Sequence, residues 1–275
     1  MQHVFKKKYG QNFLSDELLL QSIVDDSGVD ATDCVLEIGA GAGALTTRLA
    51  RVAKKVLSFE IDTDLQPILN KNLQNFDNVK VVFGDFLRAS DEQIISELGE
   101  EYAVVANLPY YITAQVVSLF VEKAQQGQKI KSLTLTLQKE VAERLVAKPE
   151  TKQYGAITVA LASVAQAELT RNIDRRLFYP VPNVDSAVVT ARFCSNRLGV
   201  NSFDDFRQVT KCAFGQRRKT LCNNVMSYFL TDRTTAQNWL QLNGIDVGAR
   251  GETLSPEQFA SLANNLYLLK IQPKN

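Results

Sequence analysis

Short apolar runs rich in β-branched residues recur through the first half of the chain, at 35–38, 56–59, 79–83, 102–106 and 133–137. Between them lie stretches with apolar positions three and four apart, such as 44–52 and 65–72. An unbroken run of four or five apolar residues suits a strand covered on both faces, and the 3.6-residue period suits helices laid on those faces. The alternation predicts an α/β fold with a doubly wound, largely parallel sheet. Two more strands, 167–173 and 187–193, follow closely around a proline-bearing loop at 178–183, which predicts a final hairpin and at least one antiparallel edge. After Ser195-Asn196-Arg197-Leu198-Gly199 the strand signal stops, and helical patterns occupy 203–214, 218–229, 234–242 and 256–266. Asn243-Gly244 and Thr253-Leu254-Ser255-Pro256 separate them, with Ser255 as an N-cap before proline. A boundary near 195–200 therefore divides a domain at 1–195, with a basic N-terminal arm, from a small helical domain at 196–275.

Composition narrows the chemistry. A chain of 275 residues, 45% of them hydrophobic, can bury a large core. It has no run of eighteen apolar residues, so no membrane span is expected. Met1-Gln2-His3-Val4-Phe5-Lys6-Lys7-Lys8 has charge but no apolar stretch behind it, unlike a secretory signal. The cysteines, Cys34, Cys194, Cys212 and Cys222, are scattered without a CxxC pair, which suggests reduced, buried thiols and a cytoplasmic location. His3 is the single histidine, which argues against a Ser-His-Asp triad, a Cys-His pair or a histidine-based zinc site. The chemistry is left to carboxylates, amides, aromatics and a cofactor, with no metal. Net charge is +1, yet from Ser195 onward basic residues outnumber acidic ones by ten to six, and Lys6-Lys7-Lys8 forms a second basic patch. Solvated surface explains such patches as readily as a polyanion partner does.

Val35-Leu36-Glu37-Ile38-Gly39-Ala40-Gly41-Ala42-Gly43 reads as a strand running through a glycine turn into a helix. Such a turn lets backbone approach a nucleotide at a strand end. Gly39-x-Gly41-x-x-Ala44 also fits a relaxed dinucleotide fingerprint, so the turn alone leaves nicotinamide and S-adenosylmethionine both open. Three acids tilt the balance to the second. Glu37 suits a cationic methionine moiety. Glu60, twenty-one residues after Gly39, can accept from both ribose hydroxyls, as it could in a nicotinamide site. Asp85, after Gly84, can accept from an adenine amine. Helix caps and surface acids are the competing explanation for each one singly.

Asn107-Leu108-Pro109-Tyr110 follows the fourth strand. An adenine N6 amine is a poor nucleophile because its lone pair is delocalised into the ring. The Asn107 side-chain oxygen and the Leu108 carbonyl can accept its two protons. Pro109 offers no N–H and keeps Leu108 extended, holding that carbonyl outward. Tyr110 can stack on the purine. Phe178, in Phe178-Tyr179-Pro180-Val181-Pro182, offers a second aromatic wall for a base drawn out of a helix, although a core position suits it equally.

With these segments in view, the chain resembles the KsgA family of ribosomal small-subunit RNA adenine dimethyltransferases over nearly its full length. The resemblance rests on Lys8-Tyr9-Gly10-Gln11-Asn12-Phe13-Leu14, Glu37-Ile38-Gly39-x-Gly41, Asn107–Tyr110, Leu137-Gln138-Lys139-Glu140-Val141, Val184-Asp185-Ser186-Ala187-Val188 and Gln216-Arg217-Arg218-Lys219-Thr220-Leu221. The first and last are far more specific than the glycine turn. The resemblance implies a Rossmann-like S-adenosylmethionine methyltransferase sheet with an all-helical C-terminal domain that helps hold rRNA or the small subunit. It implies Asn12 and Leu14 as cofactor contacts beside Gly39, Glu60, Asp85 and Asn107. It also implies dimethylation of two adjacent adenosines in a hairpin loop near the 3′ end of 16S rRNA, by a monomer. Ala40 replaces a frequent proline of the family, and Val181 and Asn183 replace a proline and a lysine. A related 23S rRNA adenine methyltransferase is the near alternative. A nicotinamide-dependent oxidoreductase is the remote one, because it leaves Asn107–Tyr110 without a purpose.

Overall fold

A computed structural model of the chain describes residues 12–270. The Lys6-Lys7-Lys8 patch, His3 and Lys8–Gln11 of the first motif lie outside the described residues. The chain divides into two compact units, one holding residues up to 142 together with 167–193, the other holding 143–166 and 194 onward.

The first unit is an α/β layer structure. Its strands are β1 (Phe13–Leu14), β2 (Cys34–Ile38), β3 (Lys55–Glu60), β4 (Val79–Phe83), β5 (Glu101–Asn107), β6 (Lys129–Gln138), β7 (Ala165–Ile173), β8 (Phe178–Tyr179) and β9 (Ser186–Phe193). Seven form one sheet in the order β4-β3-β2-β5-β6-β9-β7. Neighbours from β4 to β6 are parallel, and β9 runs antiparallel to β6. Chain order reverses at β2, which has β3 on one side and β5 on the other; crevices at such switch points are where open α/β sheets bind ligands. The helices α1 (Glu17–Ser27), α2 (Ala44–Val52), α3 (Gln66–Leu73), α4 (Asp91–Leu98) and α5 (Thr113–Gln125) connect the strands. Val35, Val56, Ala103 and Val105 pack with Ile23, Val24, Leu45 and Leu49 in one fully buried cluster. Each such aliphatic side chain contributes about 1.5–3 kcal/mol on burial.

Local caps set the element ends. The Asp16 carboxylate accepts the Leu19 N–H at 2.8 Å and starts α1; Gly28, at φ 66°, stops it. Such an N-cap contributes about 1 kcal/mol.

The remaining two strands, β1 and β8, pair only with each other, antiparallel, with Phe13 opposite Tyr179 and Leu14 opposite Phe178. Two residues are too few to show a period, and the pattern along the chain predicts neither.

The second unit is helical: α6 (Lys139–Leu145, which starts in the first unit), α7 (Ala156–Ala162), α8 (Phe203–Gly215), α9 (Leu221–Phe229), α10 (Arg233–Leu242), α11 (Pro256–Asn264) and α12 (Tyr267–Lys270). Phe206, Trp239, Phe259 and Tyr154 centre its core. Ser255 caps α11 reciprocally with Gln258, as the Ser-Pro pattern predicts. The helix expected from 218 begins instead at Leu221, because the Thr220 side chain accepts the Asn223 N–H and caps it there.

Segment 143–166, placed by the sequence pattern with the first domain, clusters with the helices. The buried Tyr154 hydroxyl donates to the Leu254 carbonyl at 2.8 Å. The Arg217 guanidinium donates to the carbonyls of Lys152 and Tyr154 at 3.2 and 3.1 Å and to Glu252 at 3.3 Å. Cys212 and Cys222 are buried as expected of structural thiols, and burial pushes the Cys212 thiol up to about 12. Cys194 is exposed and Cys34 half-buried, because each stands at a strand boundary.

Candidate active site

The C-terminal ends of β2, β3, β4 and β5 open onto one cavity of about 220 Å³. The glycine turn forms its floor. Gly39 and Ala40 donate their N–H groups to the Phe59 carbonyl at 2.8 and 3.1 Å, which pins the turn to β3. A proline at position 40 could not make the second of these bonds. Gly41 sits at φ 56°, and a Cβ there would lie 2.8 Å from Cε1 of Phe13. Only glycine lets that ring lie against the turn.

Acids close the next two strands. The Glu60 carboxylate accepts the Gly41 N–H at 2.7 Å on one oxygen and the Asp62 N–H at 2.8 Å on the other. Burial raises its pKa, and these donors oppose the rise. A carboxylate has about four acceptor sites, so these donors leave capacity for a ligand in the cavity that Glu60 lines. Asp85 also lines the cavity and accepts the Leu87 N–H at 3.0 Å, so it caps a short helical turn as well as facing the opening.

The opposite wall is Asn107, Leu108 and Pro109, at the end of β5. A Cβ on Gly39 would lie 3.7 Å from the Asn107 carbonyl oxygen, so the glycine turn and this motif share one rim. The Asn107 Nδ2 donates to the Asn12 carbonyl at 3.1 Å. That bond orients the amide and leaves Oδ1 without a partner among the described residues. Pro109, at φ −55° and ψ 131°, keeps the chain extended after Leu108. Asn12 and Leu14 line the same cavity.

Asn12, Leu14, Gly39, Gly41, Glu60, Asp85, Asn107, Leu108 and Pro109 thus come together around one opening. Glu37, Tyr110 and Phe178 are not among the residues that line it. Glu37 points beneath the glycine turn, fully buried, where its Oε2 accepts from Thr46 Oγ1 at 2.7 Å and Ser58 Oγ at 2.6 Å. Its Oε1 has no hydrogen-bond partner among the described residues. Burial, against the two hydroxyl donors, raises its pKa to about 7. The reason is the strand period: residue 37 faces α2, and residue 38 faces the cavity side. Tyr110 is half-buried and its hydroxyl lies 2.8 Å from Ser186 Oγ; the next residue, Tyr111, is 60% exposed and lines the cavity. Phe178 is 2% exposed within the core that includes Leu14, while Tyr179 is 64% exposed. Pairing with β1 decides this facing, since it sets which of two adjacent aromatics turns inward.

Sequence reasoning missed Phe13 and Tyr111 as cavity residues. Phe13 stood in plain view inside the N-terminal motif; its packing partner Gly41 was the available signal, because a positive-φ glycine often marks a close approach.

The chain is similar to several known proteins. A family model described as ribosomal RNA adenine dimethylase matches residues 2–267. The chain is 44% identical over 271 residues to ribosomal RNA small subunit methyltransferase A of Geobacillus thermodenitrificans, covering 95% of this chain and 91% of that one. It is 42% identical to the protein of the same name from Bacillus licheniformis, covering 95% and 91%. Among solved structures, a dimethyladenosine transferase from Plasmodium falciparum superposes with a TM-score of 0.74 at 25% identity, covering 91% of this chain and 95% of that one. The 23S rRNA methyltransferase ErmE superposes with a TM-score of 0.73 at 29% identity, covering 93% and 100%.

Proposed function

The chain belongs to the ribosomal RNA adenine dimethylase family, and from that premise we propose that it dimethylates the N6 amines of two adjacent adenosines in a hairpin loop near the 3′ end of 16S rRNA. The observation that carries the proposal is the shared rim: the Asn107-Leu108-Pro109 wall and the glycine turn border one cavity.

S-adenosyl-L-methionine supplies a methyl group on a sulfonium sulfur. The cavity suits it: Asp85 and Glu60 offer acceptors where an adenine amine and ribose hydroxyls need them, and Gly39 and Gly41 leave backbone bare beside them. Asn12 and Leu14 close the side next to Asn107. Glu37 supports the site from below, tying β2 to Thr46 of α2 and Ser58 of β3.

The protein's part in the reaction is positioning. Asn107 Oδ1 and the Leu108 carbonyl accept the two protons of the target amine, which draws the lone pair out of the ring and aims the nitrogen at the methyl carbon. Bound S-adenosyl-L-methionine would supply the methyl carbon to this nitrogen and would keep the electron pair of the broken carbon–sulfur bond on its sulfur. The methylated amine then gives a proton to water, so no strong protein base is required. Placing reactants this way can substitute for molar concentrations of about 10⁵ or more.

Several observations favour the small subunit over the near alternative. The relatives at 41–44% identity bear the small-subunit name, and Gln216–Leu221 of this chain resembles the small-subunit enzymes. The likeness to ErmE keeps a 23S target as the second reading. We further infer action in the cytoplasm by a monomer; no helix among the described residues is long and apolar enough to cross a membrane. The test is radiolabelled methyl transfer to small and large subunits lacking the modification, followed by nucleoside mapping. Dimethyladenosine confined to small-subunit RNA is the expected product. Label in large-subunit RNA alone, or in a base other than adenine, overturns the reading.

A further inference from the structure

Exposed apolar side chains occur on the cavity wall and along the segment that contains β8. Leu177, Tyr179, Val181 and Val184 are 40%, 64%, 56% and 44% exposed within eight residues, and Tyr111 is 60% exposed on the wall that also holds Pro109. Among the described residues of the sheet unit, Tyr111 and Tyr179 are the only strongly exposed aromatics. Other large rings of that unit, including Phe59, Phe86, Tyr102, Phe120 and Phe178, are buried.

Both tyrosines follow a residue that is held in place. Tyr111 succeeds Tyr110, whose hydroxyl meets Ser186. Tyr179 succeeds Phe178, which is in the core, and stands opposite Phe13, whose ring lies against Gly41 in the cavity. These anchors hold the backbone under each ring, with Tyr111 exposed on the cavity wall and Tyr179 exposed opposite Phe13, which lines the cavity.

We propose that Tyr111 and Tyr179 stack on the nucleobases flanking the target adenine, and so select an RNA strand whose bases are splayed. This rests on the RNA-methylation reading above. A base reaching Asn107 Oδ1 must leave its stack, and its neighbours then expose apolar faces. A phenol ring is a suitable surface for such a face, whatever the base. Tyr111 stands two residues beyond Pro109 on the cavity wall, and Tyr179 stands opposite Phe13 in the β1–β8 pair, so the two rings flank the Asn107–Pro109 rim, where the neighbours of a reacting base would lie. A protein or lipid partner would leave the aromatics without this relation to the opening.

The test compares the full chain with Tyr179→Ala, Tyr111→Ala, the double variant, and Tyr111→Phe with Tyr179→Phe. Substrate is unmethylated small subunit, and cofactor affinity is measured by calorimetry alongside. Each alanine variant is expected to lower kcat/KM for RNA about ten-fold, mostly through KM, and the double variant more; phenylalanine restores it, because the ring face does the work. Cofactor affinity of Tyr179→Ala stays at the parent value. Alanine variants equal to the parent in RNA kcat/KM overturn the proposal. So does loss in the phenylalanine variants as large as in alanine, or a loss traced wholly to weaker cofactor binding. If the parent itself leaves small-subunit RNA unmethylated, the underlying reading has failed instead.

Discussion

The strand-end rim and the basic turn at Gln216–Leu221 are both motifs of high sequence specificity, yet the molecule uses them differently. On the rim, groups point where their chemistry suggests: Asn107, Glu60 and Asp85 all line one opening, each held by a strand end. In the basic turn, charges that read alike have separate fates. Arg217 spends its guanidinium on two carbonyls and Glu252 inside its own unit. Arg218 and Lys219 remain exposed beside it. A run of positive charge is therefore not one surface: the fold takes what it needs before any polyanion is met.

Five variants separate these uses. Asn107→Ala removes an acceptor acting on the reacting amine, and methyl transfer should fall about 100-fold or more, while cofactor affinity weakens less. Single-turnover label transfer together with calorimetry checks this; unchanged turnover would make the rim as structural as Arg217.

Glu37→Gln probes the buried support. With its pKa raised to about 7 in the fold, Glu37 keeps its proton between about pH 4.5 and 7 while the unfolded chain has lost it. The unfolded state then binds fewer protons, so the fold loses stability as pH rises through that window, by up to about 3 kcal/mol, and the loss levels off above 7. Glutamine cannot ionise. The melting temperature of the variant relative to the parent should climb from pH 5 to pH 8, as thermal scans will show; a parallel offset at all pH values contradicts the assignment.

Arg217→Ala should cost about 2 kcal/mol by leaving the Lys152 and Tyr154 carbonyls short of a donor, read as a lower denaturant midpoint. Arg218→Ala should leave that midpoint in place. The smallest effect belongs to Arg218→Ala with Lys219→Ala, which should lower the slope of log affinity for RNA against log salt by about one per lost contact and leave folding intact. An unaltered slope returns these two side chains to solvated surface.

Much of the architecture was legible because it is written in periods. Runs such as 102–106 admit few alternatives to a strand covered on both faces, and the order of acids at successive strand ends locates the cavity. What stayed hidden turns on single-residue facing. Nothing in Phe178-Tyr179 or Tyr110-Tyr111 tells which aromatic turns inward; that is decided by Leu14 opposite Phe178 and by Ser186 near the Tyr110 hydroxyl. The sequence leaves Glu37 looking like a ligand contact for the same reason, since its direction depends on which face of β2 meets α2. The Arg217 bonds join positions more than sixty residues apart, beyond any local pattern.

The two-rung pair of β1 and β8 couples distant parts of the chain. One partner leads from Asn12, which accepts from Asn107 and walls the cavity; the other carries Tyr179 opposite Phe13, which also lines it. A ligand that stiffens one rail of this ladder stiffens the other. Occupancy of the cavity and engagement of the strand outside it should therefore help one another, and by equal factors in both directions, as any shared equilibrium demands.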